Sequence, residues 1–447
     1  MQLRSGSPLR GHRDFNKLWF GQAVSSVGSQ VTLLAMPLTA VLYLHADAGQ
    51  VGVLTAAGLA AYCGPSLLFG VMADRVRRRT LMIAADIGRT VVIALIPVLA
   101  WLHSLNMPLM YAVELVQGGL TVIFEVAYRA YLPDLVGTEG LLSGNSRLQG
   151  TASVAQVGGP GLSGVLVSLL GAPFALLADA GSFVVSWASL LTIRAREPAP
   201  RREHRPGESG GGGAQTGLRG VFAEMRFGLR FIWRHPVLRA VAGSAGSFNF
   251  FSQLQLTLYV IYAARVKHMS PGEIGLILVG FGIGGVVSSA TAGRVLRWLG
   301  YGPSLVAGYG VAAVAIFCIP LVPGPALRAT SIFLVVYFVA GYAIVGTNIA
   351  MAIMRQVASP PSLQGRVNAS FRFAIGALMP VSALLAGLLG ETLGLRPTLF
   401  VCGAGMPISV IWVALSPTRK VKAVEELAPD EAASDAQAAA GLGHRQA

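Results

Sequence analysis

The chain has 447 residues, of which 53% are hydrophobic and 12% charged, and it carries a formal net charge of +14. The charged share is about half that of an ordinary soluble domain, so the apolar excess calls for a solvent other than water. The positive charge does not mark a nucleic-acid binder, because the basic residues are scattered between long apolar runs rather than gathered in one patch.

A bilayer core about 30 Å thick needs roughly 20 apolar residues per helix. Twelve such stretches follow one another, at about 17–43, 50–72, 81–102, 108–130, 144–169, 173–193, 237–262, 273–293, 304–323, 329–354, 367–389 and 397–415. They are continuous rather than alternating, and backbone in lipid must satisfy its own hydrogen bonds, so helices are predicted and strands are not. The fold class is all-α and polytopic. No short apolar segment with a small-residue cleavage site follows the polar N-terminus, so no removable signal peptide is expected.

In chain order, residues 1–16 read as an N-terminal segment, 17–193 as a first six-helix bundle and 194–235 as a linker. The linker holds Arg201, Arg202, Glu203, Arg205 and the glycine run 210–213, too polar to span and too glycine-rich to fold alone. Its last part, 220–233, sets Val221, Met225, Leu229 and Ile232 at helical spacing opposite Arg226 and Arg230, the pattern of an interfacial amphipathic helix. A second bundle covers 236–416, and 417–447, alanine-rich and acidic at Glu425, Glu426, Asp430, Glu431 and Asp435, reads as a disordered tail.

Alternate loops are basic: 75–79, 194–234, Arg294, Arg297, Arg355, Arg366, Arg419, Lys420 and Lys422 fall on one side, against Arg265, Lys267, Arg328 and Arg396 on the other. Basic loops resist translocation, which places both termini in the cytoplasm. Cys63, Cys318 and Cys402 lie inside spans without metal-ligand spacing and read as packing residues.

The two sixes look duplicated. The stretch 70–79 after the second span has an echo at 289–297 after the eighth, and Asp74 precedes Pro160 by nearly the same interval as Gly293 precedes Pro380. Copies of an even number of spans keep the same orientation, so they are expected as pseudo-symmetric halves about an axis along the membrane normal, with a cavity between them.

The stretch Gly70-Val71-Met72-Ala73-Asp74-Arg75-Val76-Arg77-Arg78-Arg79 resembles the signature between the second and third helices of the major facilitator superfamily. The resemblance implies a cytoplasmic gate in which Asp74 accepts from the free amides at the start of the eleventh helix, near 366–368. Gly70, Arg75, Arg78 and Glu125 would complete it, Glu125 pairing with Arg78 or Arg129. Gly150, Gly159-Pro160, Ser163 and Gly164 resemble the antiporter motif of superfamily exporters, with Ser163 standing where glycine is usual. Small residues there allow close packing and Pro160 bends the helix. Phe124, Leu132-Pro133-Asp134-Leu135, Asn145-Ser146 and Phe174 with Asp179, Ser182 and Phe183 resemble the macrolide-efflux and enterobactin-exporter branch.

An ionisable group at a helix centre costs at least about 2.5 kcal/mol, so each is a functional candidate. Glu114 sits in Glu114-Leu115-Val116-Gln117-Gly118, where the family's antiporters carry an arginine three residues before Gln-Gly. It is the first choice for proton coupling; the plainer alternative pairs it with Arg89. Asp86 and Arg89, three apart on one face, would equally neutralise each other. Asp179 reads as a second proton site or a packing acceptor. Gln117, Asn249, Gln253, Gln255 and Asn348, with Phe248, Phe250, Phe251 and Tyr259, are the candidate cavity residues.

No phosphate-binding glycine loop followed by Lys-Ser or Lys-Thr occurs, so ATP is not expected as the energy source. No cofactor, metal, catalytic residue or enzymatic activity is expected. The resemblance implies a monomeric drug:proton antiporter of a bacterial cytoplasmic membrane, with a small amphiphilic substrate, protons and the lipid bilayer as partners. A siderophore or metabolite exporter, an importer and a non-transporting receptor or scaffold are the alternatives.

Overall fold

The computed structural model describes residues 12–63, 76–195, 218–324, 326–360, 363–423 and 426. Gly70, Asp74 and Arg75, most of the linker and nearly all of the acidic tail lie outside the described residues. So do the side chains at 62–63, 218–224 and 327.

Among the described residues every regular element is a helix. The first half comprises α1 (Arg13–Leu38), α2 (Ala48–Cys63), α3 (Arg78–Trp101), α4 (Met107–Leu170) and α5 (Ala172–Thr192). The helix α4 is two spans joined end to end: Gly137 has φ +67°, a conformation that glycine adopts without penalty, and turns the chain between 107–136 and 138–170. After α6 (Leu218–Arg234), the second half comprises α7 (Pro236–Ile261), α8 (Pro271–Leu299), α9 (Tyr301–Cys318), α10 (Ala326–Val357) and α11 (Gln364–Thr392). A last span is made of α12 (Leu395–Gly405) and α13 (Pro407–Ala414), divided at Met406 before Pro407. With α4 counted twice and α12 and α13 taken as one, the described residues hold twelve bundle helices in two sets of six, as the hydropathy pattern predicts.

The duplication goes deeper than the motifs reveal. The first helix of each half widens into a π turn, Thr39–Tyr43 and Tyr262–Val266. Each then passes through a histidine at positive φ, His45 at +53° and His268 at +52°. The next helix of each half opens on a reciprocal cap. Asp47 and Gln50 exchange backbone-to-side-chain bonds of 3.1 and 2.7 Å, and Ser270 and Glu273 form a capping box.

The described chain begins at His12 and its last continuous stretch closes at Ala423, both at one end of the bundle, here the terminal end; the 44–47, 102–106, 267–270 and 393–394 connections lie at the other, the distal end. The halves meet at the distal end through paired glycines. A Cβ at Gly52 of α2 would come within 2.7 Å of Gly387 Cα and Ala383 O of α11. A Cβ at Gly164 of α4 would come within 2.7 Å of Pro271 O and 3.3 Å of Gly275 Cα on α8. Backbone-to-backbone approach of this kind is how small residues join helices where no hydrophobic driving force acts between them. At the terminal end, Gly150 and Gly365 have no described atom within 4 Å of a Cβ position. The helix α6 lies on α11, with Ser370 Oγ donating to Met225 O at 3.1 Å and Trp233 set edge-on to Trp412.

Candidate functional site

A cavity of about 600 Å³ lies between the halves, behind the distal seam. It is lined from the first half by α1, α2, α4 and α5, and from the second by α7, α8, α9 and α10. The two sides differ in chemistry.

On the first side, Glu114 and Gln117 stand one turn apart on α4 and face the cavity with Thr55 and Gly58 of α2. Gly58 makes the room: a Cβ there would fall 2.6 Å from Glu114 Oε1. Glu114 Oε2 and Gln117 Oε1 are buried and have no hydrogen-bond partner among the described residues.

Arg89 is not the partner of Glu114. It forms a buried ion pair with Asp86, one turn back on α3. Its guanidinium also lies over Phe124 at 4.3 Å and Phe183 at 4.4 Å from the ring centroids. That rings-and-carboxylate clasp holds the guanidinium off the cavity lining, although Arg89 Nε and Asp86 Oδ2 stay buried without a hydrogen-bond partner among the described residues. Of the two pairings open in the sequence, the Asp86–Arg89 pair is the one formed.

Asp179 of α5 reaches the cavity wall and accepts from two hydroxyls, that of Ser182 being shared with the Asp179 backbone carbonyl at 2.7 Å. Thr32 Oγ1 donates to its Oδ2 at 2.5 Å and Ser182 Oγ to its Oδ1 at 3.0 Å. A Cβ at Gly28 would fall 2.6 Å from Asp179 Oδ1, so α1 and α5 close over this group.

On the second side the lining is amides and aromatics. Gln255 Nε2 donates to the Tyr337 hydroxyl at 2.9 Å, and Tyr337 stacks obliquely on Tyr259 at 4.8 Å. Gln253 Nε2 donates to Thr257 Oγ1 at 3.3 Å, Asn249 Nδ2 to Ala245 O at 2.8 Å, and Asn348 lies exposed on α10. Phe248 faces the cavity, whereas Phe250 and Phe251 do not: Phe251 packs against Gly405, and the Phe250 carbonyl accepts from Ser382. Tyr337 and Gln156 are cavity residues that the sequence reading passes over, Tyr337 because its one polar atom sits in an otherwise apolar span.

The residues of the exporter-like motif divide by position. Gly150 faces open space among the described residues. Gly159 lies against Gln30 of α1, Pro160 presents its carbonyl to Gly275, and Gly164 packs on α8. Ser163, the departure from glycine, is buried and donates to Val31 O at 3.0 Å, tying α4 to α1. At the terminal end Arg78 pairs with Asp134 and donates to Ala130 O at 2.8 Å. Glu125 pairs with Arg129 at 3.2 Å. Of the two partners open to Glu125 in the sequence, Arg129 is the one it meets: Arg78 opens α3 level with the end of the first limb of α4, while Glu125 lies more than two turns deeper.

Two six-helix halves around a central cavity define a polytopic membrane transporter. The chain belongs to the Major Facilitator Superfamily, whose sequence profile matches residues 18–381. It is 25% identical over 387 residues to the multidrug efflux pump Tap of Mycolicibacterium fortuitum, covering 85% of this chain and 90% of Tap. It is 24% identical over 404 residues to the enterobactin exporter EntS of Citrobacter koseri, covering 90% and 91% respectively. In fold it is similar to a bacterial homologue of the iron transporter ferroportin in an inward-facing state, with a TM-score of 0.71 at 17% identity over 90% of this chain and 98% of that one.

Proposed function

We propose that the chain is a secondary active exporter that expels a lipophilic, neutral or cationic small molecule in exchange for protons. It works by alternating access in a bacterial cytoplasmic membrane, with both termini in the cytoplasm. The observation that carries this reading is Glu114, a carboxyl on the cavity wall with neither a cation nor a hydrogen-bond donor among the described residues. A group so placed gains most from a proton when the cavity is closed to water and loses it most readily when water enters from the cytoplasm. Asp86 and Arg89 form an ion pair, and Asp179 accepts from Thr32 and Ser182, whereas Glu114 has neither kind of partner, so the first three are assigned to packing. The distal glycine seam is the outer gate in its closed state. Gly70, Asp74 and Arg75 are proposed to latch the inner gate, with Arg78 held on Asp134.

The names of Tap and EntS both support export, and EntS raises the alternative of a siderophore. Among the described residues that line the cavity the charged ones are Glu114 and Asp179, and none is basic. An anionic catecholate would meet carboxylates and no cation there, which favours the lipophilic amine or neutral natural product.

The reading is tested in cells loaded with a lipophilic cationic dye, with ATP clamped. Expression should lower retention, and a protonophore should restore it to the level of cells without the protein. Export that persists after the proton gradient is collapsed would remove proton coupling.

A further inference from the structure

A second cavity, of about 660 Å³, lies at the terminal end on the outside of the second half, remote from the central one. Its walls are apolar: Leu299 of α8, Pro303, Val306 and Ala307 of α9, and Ala414 of α13. Its rim carries Arg419, Lys420 and Lys422, all exposed, and among the described residues none of the three is in an ion pair. Glu426 turns instead to the backbone amides of Lys422 and Ala423, at 3.3 and 3.2 Å.

The rim is held in place by the fold. The strap 417–422 crosses the α8–α9 turn, where Gly302 N donates to Val421 O at 2.8 Å. Gly300 sits at φ +89°, and a Cβ on it would fall 2.8 Å from Lys422 Cα. A Cβ on Gly302 would strike the Thr418 carbonyl. Only glycines let the strap lie this close, and the result is three cations over an apolar groove. Trp298 and Leu415, 84% and 82% exposed, project beside it as side chains suited to a lipid interface.

From this we infer that the groove binds one anionic phospholipid of the leaflet at the terminal end. Its acyl chains lie along α9 and its phosphate meets Arg419, Lys420 and Lys422. Basic pockets at membrane-facing helix ends attract acidic headgroups, each cation adding to the attraction. The groove walls supply the second requirement, which a loose basic patch lacks.

The test is native mass spectrometry of the purified full chain, titrated with phosphatidylglycerol or with phosphatidylcholine of the same acyl chains. The wild type should keep one phosphatidylglycerol and exchange phosphatidylcholine freely. The triple change Arg419→Gln, Lys420→Gln, Lys422→Gln should weaken that adduct about tenfold or more. Ala307→Trp, which fills the groove and keeps every charge, should weaken it comparably. Arg226→Gln with Arg230→Gln, on α6, should leave it unchanged, and all variants should melt as the wild type does in phosphatidylcholine. An adduct that survives both the triple change and Ala307→Trp overturns the assignment. So does an adduct displaced by millimolar inorganic phosphate, which would mean a free-anion site. Zero-length cross-linking of Lys420 or Lys422 to Asp430, Glu431 or Asp435 in phosphatidylglycerol nanodiscs would give the groove to the chain's own tail and equally overturn it.

Discussion

The two halves share a backbone plan and divide the chemistry. The first carries Asp86, Arg89, Glu114 and Asp179 within its spans. In the second, Glu273 and Glu391 sit at the distal rim, and Arg239, Arg355, Arg366 and Arg372 within a few turns of the terminal end, while the described cavity wall offers Gln253, Gln255, Tyr259 and Tyr337. Yet π turns, positive-φ histidines and helix caps recur at matching places in both. Duplication has kept what bends and joins the helices, where a backbone solution admits few alternatives. It has let the cavity-facing side chains diverge. On the proposed function, we assign proton handling to the first half and substrate recognition to the second.

The sharpest way to break that division is through the buried ion pair. If Asp86 and Arg89 only hold the first half together, Asp86→Asn leaves a buried cation without its ion-pair partner. Stability in detergent should then fall by about 3–5 kcal/mol. Removing both charges, as Asp86→Asn with Arg89→Met, should recover most of the loss and leave proton-coupled export intact. A doubly changed protein that folds normally but no longer couples to protons would move the relay from Glu114 to this pair.

A smaller effect is expected in the second half. Tyr337→Phe removes the hydroxyl that Gln255 donates to and leaves a buried amide short of a partner. Substrate affinity should change by about 1 kcal/mol, roughly fivefold, with the proton dependence of transport unaltered. Isothermal titration at two pH values checks this, and a changed proton dependence would show that the halves do not divide the work.

Much of this was legible in the sequence. The spans, the duplication and the small-residue motif all follow from apolar length and residue size, because lipid imposes the same requirement on every helix. The pairs within one helix, Asp86–Arg89 and Glu125–Arg129, were legible from their spacing, but the contacts between helices were not, because they depend on depth and rotation about each axis. Arg78 finds Asp134 rather than Glu125 because the first limb of α4 ends level with the start of α3. Arg89 is taken by Phe124 and Phe183 from two other helices, a contact no spacing reveals. Gln255 meets Tyr337 across 82 residues of chain. The join of two spans at Gly137 was also hidden, because one glycine among many gives no sign of its φ.

The central claim is that Glu114 carries the coupled proton. Proteoliposomes holding the wild-type protein and a luminal pH dye, given an outwardly directed substrate gradient and no initial pH difference, should show substrate-dependent proton movement in the opposite direction. With Glu114→Gln the substrate should still bind and exchange across the membrane, its binding should lose pH dependence, and the proton signal should vanish. Substrate-driven proton movement of wild-type size in the Glu114→Gln protein would contradict the account.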